Sequence, residues 1–514
     1  MKKLTKRLFY GYCPIVTLVI FSLISLSLHA QDPEVSLKAL SITPGSPSIQ
    51  FSPEWKMFRV NIANNVNSVV ITATAQFPDA TIKIGGKPVK NGSPSYSVPV
   101  IVGRNLIPIE VTSPDKTKKD IYTIKVMRLY PTPTWVKVTD NTPFKPRDSA
   151  GEMVFNDRMW IIGGYTPDLA NDVWSSADGF NWEKTGEIPN SKGIDIPVNF
   201  VYKNKMWISS YDGCFYSSKD GKQWDLVTDN LPWGGRNAAG GVIFNNKMWV
   251  MGGKKRGELY NDIWSSEDGK SWKLITTEAP WSKRQMFSTL NVYDNKMWII
   301  GGGISIYHPF RAYRDVWNSK DGKNWTRVME KAPWLGRIWN TSIVYKNRLW
   351  MLNGFRAEPT WNNFNDVWYT TDGNNWNELL SDNIWSPRHE VSAFVFHDKL
   401  WVVEGMAWPL QNDVWYMEIK GMTFTTQPVC EEYITTPYYY KAHADFNTSM
   451  GEIEYRLVDG PAWLSIDKET GVLSGIPDKI EDVNVSIEAY DDKGETVRQT
   501  YILYVLPFVS PSMD

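Results

Sequence analysis

The stretch Arg236–Trp272, RNAAGGVIFNNKMWVMGGKKRGELYNDIWSSEDGKSW, decides the fold. An apolar run ends in the polar pair Asn245-Asn246, and Lys-Met-Trp follows at Trp249. Gly252-Gly253 closes that run, Asp-Ile-Trp places Trp264, and Asp-Gly-x-x-Trp places Trp272. Short apolar segments separated by Asn, Asp and Gly read as four antiparallel strands, a to d. Asp-Gly between strands c and d is a hairpin signal, because both residues tolerate the positive φ of a tight turn.

The same phrase recurs on either side. Its Lys-Met-Trp slot, or a variant of it, places Trp160, Trp207, Trp249, Trp298, Trp350 and Trp401. Asp-Val-Trp or Asp-Ile-Trp places Trp174, Trp264, Trp317, Trp368 and Trp415, and Asp-Gly-x-x-Trp places Trp182, Trp224, Trp272, Trp325 and Trp376. Six b strands are therefore followed by only five d strands. The sixth unit stops at Trp415-Tyr416, and Trp135-Val136-Lys137-Val138 supplies the missing strand from the N-terminal side. A period near fifty with four strands per unit resembles kelch-type and galactose-oxidase-type repeats. The resemblance implies an all-β chain with a six-bladed kelch-like β-propeller over 135–419. Closing it with strands from both ends would leave no exposed edge. Most of the 26 tryptophans then belong to a repeated structural slot.

The flanks alternate apolar and polar positions without a helical stretch. Residues 33–128 carry Phe58-Val60-Ile62, Ile107-Ile109-Val111 and Tyr122-Ile124-Val126, a period of two that reads as a small sandwich. LSITPGSPSIQFSP, VGRNLIPIEV and YTIKVMR in this segment resemble the cadherin-like β-sandwich of secreted bacterial proteins. Pro131 and Pro133 form a stiff connector. In residues 421–507, Pro461–Asp467 followed by Thr470–Pro477 resembles the immunoglobulin-like domains of bacterial surface proteins. Both likenesses imply spacer or interaction modules, with protein partners through the sandwiches.

Residues 1–30 read as a signal peptide: Lys2, Lys3, Lys6 and Arg7, an apolar run, then Ala30 at the cut. The protein is expected to be exported, to the periplasm or cell surface, with no transmembrane segment once the signal is removed. Cys214 and Cys430 remain, too few for a disulfide framework and without metal-ligand spacing. No metal or cofactor is expected. A net charge of −1 gives no basic field for nucleic acid.

Strand parity puts the b–c and d–a loops on one face, and these are the long, variable ones: Tyr165–Ala170, Lys254–Tyr260, Ile304–Arg314, Phe355–Asn365 and Met406–Gln411. Variable loops on a rigid scaffold are where binding usually sits. Arg147, Arg236, Arg284, Arg337 and Arg388 approach that face at matching repeat positions. Two readings stay open for them: a ring of guanidinium groups for carboxylate or sulfate, or a repeat-consensus residue paired with its neighbours. Tyr307, Trp361 and Trp408 join the arginines as candidate ligand-binding residues, because flat aromatic faces suit sugar rings, and Asn353 joins them because it replaces the first glycine of the pair that ends strand b. Glu404 and His389 are the candidate acid and base. Binding of an acidic or sulfated polysaccharide or oligosaccharide is the expected function. Enzymatic action on acidic sugars, as an epimerase, mutarotase or lyase, is the alternative, and adhesion to protein a further one. Likeness to kelch-type N-acetylneuraminate epimerases implies acid–base residues at a channel mouth. A copper oxidase would need histidines this segment does not supply. Ser175, Ser217 and Ser265 resemble the Asp-box of sialidases, except that their Asp comes three residues later instead of two.

Overall fold

The computed structural model describes residues 35–45, 51–305, 310–357, 360–381 and 383–508, so the expected signal peptide lies outside the described residues. Every regular element among them is a strand. The chain divides into two compact units, one holding most of the N-terminal strands and one holding the rest.

In the N-terminal sandwich, Leu37–Thr43, Ser68–Ala75 and Val98–Pro99 form one sheet, and five strands running from Met57–Ile62 to Lys119–Arg128 form the other. Phe58, Val60 and Ile62 point inward, as do Ile107, Ile109 and Val111 and then Tyr122, Ile124 and Val126. The two-residue period therefore selects the buried face, as the pleat requires.

The central repeats form six four-stranded sheets. Their first strands are Gly151–Phe155, Asn199–Tyr202, Gly240–Phe244, Leu290–Tyr293, Thr341–Tyr345 and Ser392–Phe396. Each first strand neighbours the next, and that of sheet six also neighbours that of sheet one. Backbone hydrogen bonds follow the same order. The Ile196 N–H donates to Ser149 O at 2.9 Å, Ala238 to Ile196 at 3.0 Å, Met286 to Ala238 at 2.7 Å and Ser342 to Ser288 at 2.8 Å. Glu390 donates to Trp339 at 3.2 Å, and Ser149 donates back to Glu390 at 3.4 Å. Val136–Thr139 pairs antiparallel with Leu410–Glu418, Trp415 opposite Lys137, and so becomes the fourth strand of sheet six.

Tryptophan chemistry repeats with the strands. Each Lys-Met-Trp-type indole is buried and donates to the carbonyl five residues earlier, as Trp249 does to Phe244 O at 2.9 Å. In sheets one to five the Asp-Gly turn is locked by a hydroxyl: Ser176 Oγ accepts from the Gly179 N–H at 2.8 Å, and Asp178 Oδ1 accepts from Phe180 and Asn181 at 2.8 Å. Ser218, Ser266, Ser319 and Thr370 do the same. The working hydroxyl therefore sits two residues before the Asp, which corrects the spacing read from Ser175, Ser217 and Ser265. Each turn glycine lies on the indole of the preceding sheet. A Cβ on Gly221 would collide with Trp160, on Gly269 with Trp207, on Gly322 with Trp249, on Gly373 with Trp298 and on Gly179 with Trp401.

The C-terminal sandwich pairs the long strands Asp482–Asp491 and Thr496–Leu506 in one sheet and Tyr438–Lys441 with Val472–Gly475 in the other. Tyr438, Tyr440, Leu473, Val485, Ile487 and Leu503 fill its core.

Candidate functional site

The five repeat arginines are clamps. Arg147 donates through both terminal nitrogens to Asp172, at 2.7 and 3.0 Å, and its Nη1 also reaches Gly163 O at 2.6 Å. Arg236, Arg284, Arg337 and Arg388 hold Asp262, Asp315, Asp366 and Asp413 in the same fork. Each of those carboxylates also accepts from the indole two residues on, as Asp315 does from Trp317 Nε1 at 2.8 Å. All five arginines are at most 5% exposed. Burial raises the Asp172 carboxyl, but the hydrogen bond and charge of Arg147 outweigh it and leave the pKa below its ordinary value. Of the two readings open for these arginines, this geometry fits pairing within the repeat: planar forks turn onto the Asp of Asp-Val-Trp or Asp-Ile-Trp, which recurs at a matching place in five units.

Asn353 is fully buried, its Oδ1 accepting from Trp385 Nε1 at 2.5 Å and its carbonyl from Arg337 at 2.9 Å. Glu404 is also fully buried. Ser392 Oγ donates to its Oε1 at 2.8 Å, while Oε2 has no hydrogen-bond partner among the described residues and lies 3.9 Å from Arg147 Nε. Burial pushes its carboxyl well above the usual range. His389 is stacked on Trp339 with centroids 5.0 Å apart, bonded through Nδ1 to Asn363 Oδ1 at 2.7 Å, and driven by burial down to about 3. Glu404 is thus held beneath the surface, and His389 is buried in its stack.

Other carboxyls on the first strands and on the connections before them are raised as well. Burial takes Glu152 up to about 8, with Ser288 Oγ donating to it at 2.7 Å from sheet four. Asp148 rises to about 7 through burial and then the charge of Asp195. Glu390 is held well above its ordinary value by burial and by the charges of Asp148 and Asp195, with Lys254 opposing.

The variable loops follow the second strand of each sheet. In sheets three, four and five they are two-stranded hairpins: Lys254–Lys255 with Glu258–Leu259, Gly303–Ile304 with Arg311–Ala312, and Phe355–Arg356 with Asn362–Asn363. Between the last two opens a cleft of ≈ 530 Å³, lined by Phe310, Arg311, Tyr313, Leu335, Phe355 and Arg356 among others. Trp361 stands beside it, 67% exposed, with centroids 5.3 Å from Phe355 and 6.5 Å from Phe310. Arg311 is exposed, and its guanidinium has no hydrogen-bond or ion-pair partner among the described residues. Trp408, 69% exposed, projects from the b–c connection of sheet six. Tyr307 lies outside the described residues. Arg311 belongs to no repeat column, so spacing offered no signal for it. Its place within the Ile304–Arg314 loop was the only one.

Residues 37–129 match the family described as "Cadherin-like beta sandwich domain", and 422–506 match "Putative Ig domain". A curated relative from Evansella cellulosilytica, named "Putative membrane protein", is 30% identical over 126 residues, which is 24% of this chain. The chain spans 18% of that relative's length. Among solved structures, one of YjhT aligns over 54% of this chain and 96% of its own, at 14% identity and a TM-score of 0.44. No helix among the described residues is long and apolar enough to cross a membrane.

Proposed function

We propose that the protein is an exported saccharide-binding protein whose ligand carries carboxylate or sulfate groups and sits in the cleft between the hairpins of sheets four and five. One observation carries this reading: Arg311, an uncommitted cation, and Trp361, an exposed indole, flank one aromatic-lined cleft. A sugar ring offers a C–H face to an indole, and its acidic group offers two oxygens to a guanidinium. Trp408 adds a second aromatic platform on the same loop face.

The scaffold under this site we infer to be a six-bladed kelch-like β-propeller over 135–419, closed by the strand after Trp135, with sandwiches at 33–128 and 421–507. Cyclic neighbour order and the inter-sheet backbone bonds support it. The sandwiches present the propeller and are open to protein partners.

Screening wild-type protein on an acidic-glycan array, with calorimetry on the hits, tests the function. Binding of a uronate- or sulfate-bearing glycan, lost at least tenfold in Arg311→Ala and Trp361→Ala, is expected. Binding only to neutral glycans, or acidic-glycan binding untouched by both variants, would exclude the site.

A further inference from the structure

The loop face carries charges of both signs. In sheets one and two exposed Asp168 and Asp212 stand with exposed Lys145 and Lys192, while Asp148 and Asp195 lie deeper. In sheets three and four cations are the more numerous, with exposed Glu278 among them. The hairpin of sheet three bears Lys254, Lys255 and Arg256, with Glu258 as its acid, held by Tyr260 Oη at 2.9 Å. Lys283 follows on the connection into sheet four, then Arg311.

Backbone bonds fix these groups in sequence along an arc. Lys254 pairs with Asn237, and the Gly253 N–H donates to Arg284 O at 2.9 Å, tying the sheet-three hairpin to the segment beside Lys283. Gln285 in turn pairs with Gly303, at the base of the hairpin that ends in Arg311. Ile338 pairs with Phe355 on the far side of the cleft. Lys255, Arg256, Lys283 and Arg311 have no ion pair among the described residues. Four cations without an ion pair, on loops joined by these backbone bonds and ending at an aromatic cleft, are more than one acidic sugar can engage.

Resting on the reading of the cleft, we infer that the ligand is an extended polyanionic saccharide: its end or an internal unit occupies the cleft, and its chain runs from Arg311 past Lys283 to Lys255 and Arg256. Each further acidic sugar engages the next cation without a new loss of translational freedom, so affinity grows with chain length. Because these cations are exposed or, for Lys255, partly exposed, the gain is screened by salt.

Oligogalacturonates from the disaccharide to about the dodecasaccharide, titrated at low and at physiological ionic strength, test this. Wild-type affinity is expected to rise about tenfold or more with length, less so in salt. The triple variant Lys255→Ala, Arg256→Ala, Lys283→Ala should bind the disaccharide as wild type does, keep its melting temperature and lose the gain with length. Equal affinity at every length, or a length gain that survives the triple variant, would overturn the extended ligand while leaving the cleft in place. Disaccharide binding that survives Arg311→Ala would instead remove the cleft, and the inference with it. An equal length gain with oligodeoxythymidylate would overturn the carbohydrate assignment.

Discussion

Phe446 lies face to face with Trp350, centroids 5.8 Å apart and planes 6° from parallel. The other five Lys-Met-Trp-type indoles are each covered by the glycine of an Asp-Gly turn. Sheet six has no such turn, because its fourth strand arrives from the other end of the central segment. The slot over Trp350 is filled from the C-terminal sandwich instead, and Arg348 secures the plug through Asp445 and through the ring of Phe446, 4.7 Å away. Phe446→Ala removes a ring from this stack and should cost about 3 kcal/mol. Urea denaturation checks this; Phe446→Leu, which keeps most of the volume, should lose less.

Trp135 is fully buried and meets Trp385 edge-on at 4.4 Å, as Trp325 meets Trp281 and Trp376 meets Trp334, both at 4.6 Å. Trp135→Ala is expected to destabilise by about 3–5 kcal/mol, and deletion of 129–140 to abolish cooperative unfolding of the repeats. A deletion variant that melts like wild type would mean that sheet six does not need this strand.

The repeat arginines each hold an Asp of their own sheet. Arg337→Ala leaves the half-buried Asp366 without its fork and should cost about 1.5–3 kcal/mol. Arg337→Lys should not restore it, since an ammonium cannot donate two parallel bonds. Chemical denaturation of both variants checks this.

Raised carboxyls make stability depend on pH in a definite direction. A folded-state pKa above the unfolded value means that the folded state holds the proton more tightly, so stability falls as pH rises between the two values. For Asp148 that window runs from 3.8 to about 7, and for Glu152 from 4.5 to about 8. The melting temperature should therefore fall between pH 5 and pH 8.5. Glu152→Gln, which keeps an acceptor for Ser288, should flatten part of that slope.

Much of the framework was legible because it is written in columns. The Lys-Met-Trp, Asp-Val-Trp and Asp-Gly-x-x-Trp columns gave six four-stranded sheets, and the unmatched strand at Trp135 gave the source of the sixth sheet's last strand. The alternation of Phe58, Val60 and Ile62 gave the buried face of the N-terminal sandwich. Two features escaped. Arg337 and Asp366 stood in separate columns, and repeat spacing alone does not say that a cation and an anion turn toward each other. Phe446 fills a place left empty about a hundred residues earlier, a relation that only three-dimensional packing creates. Arg311 and Trp361 stand outside every column, where a sequence shows residue type without orientation.

Arginine-specific labelling with phenylglyoxal, mapped by peptide mass with and without a bound acidic oligosaccharide, tests the central claim most directly. Arg311 should be modified in the free protein and protected in the complex, while Arg147, Arg236, Arg284, Arg337 and Arg388 stay unmodified in both. Protection at those five, or an Arg311 equally reactive in the presence of ligand, would contradict the account.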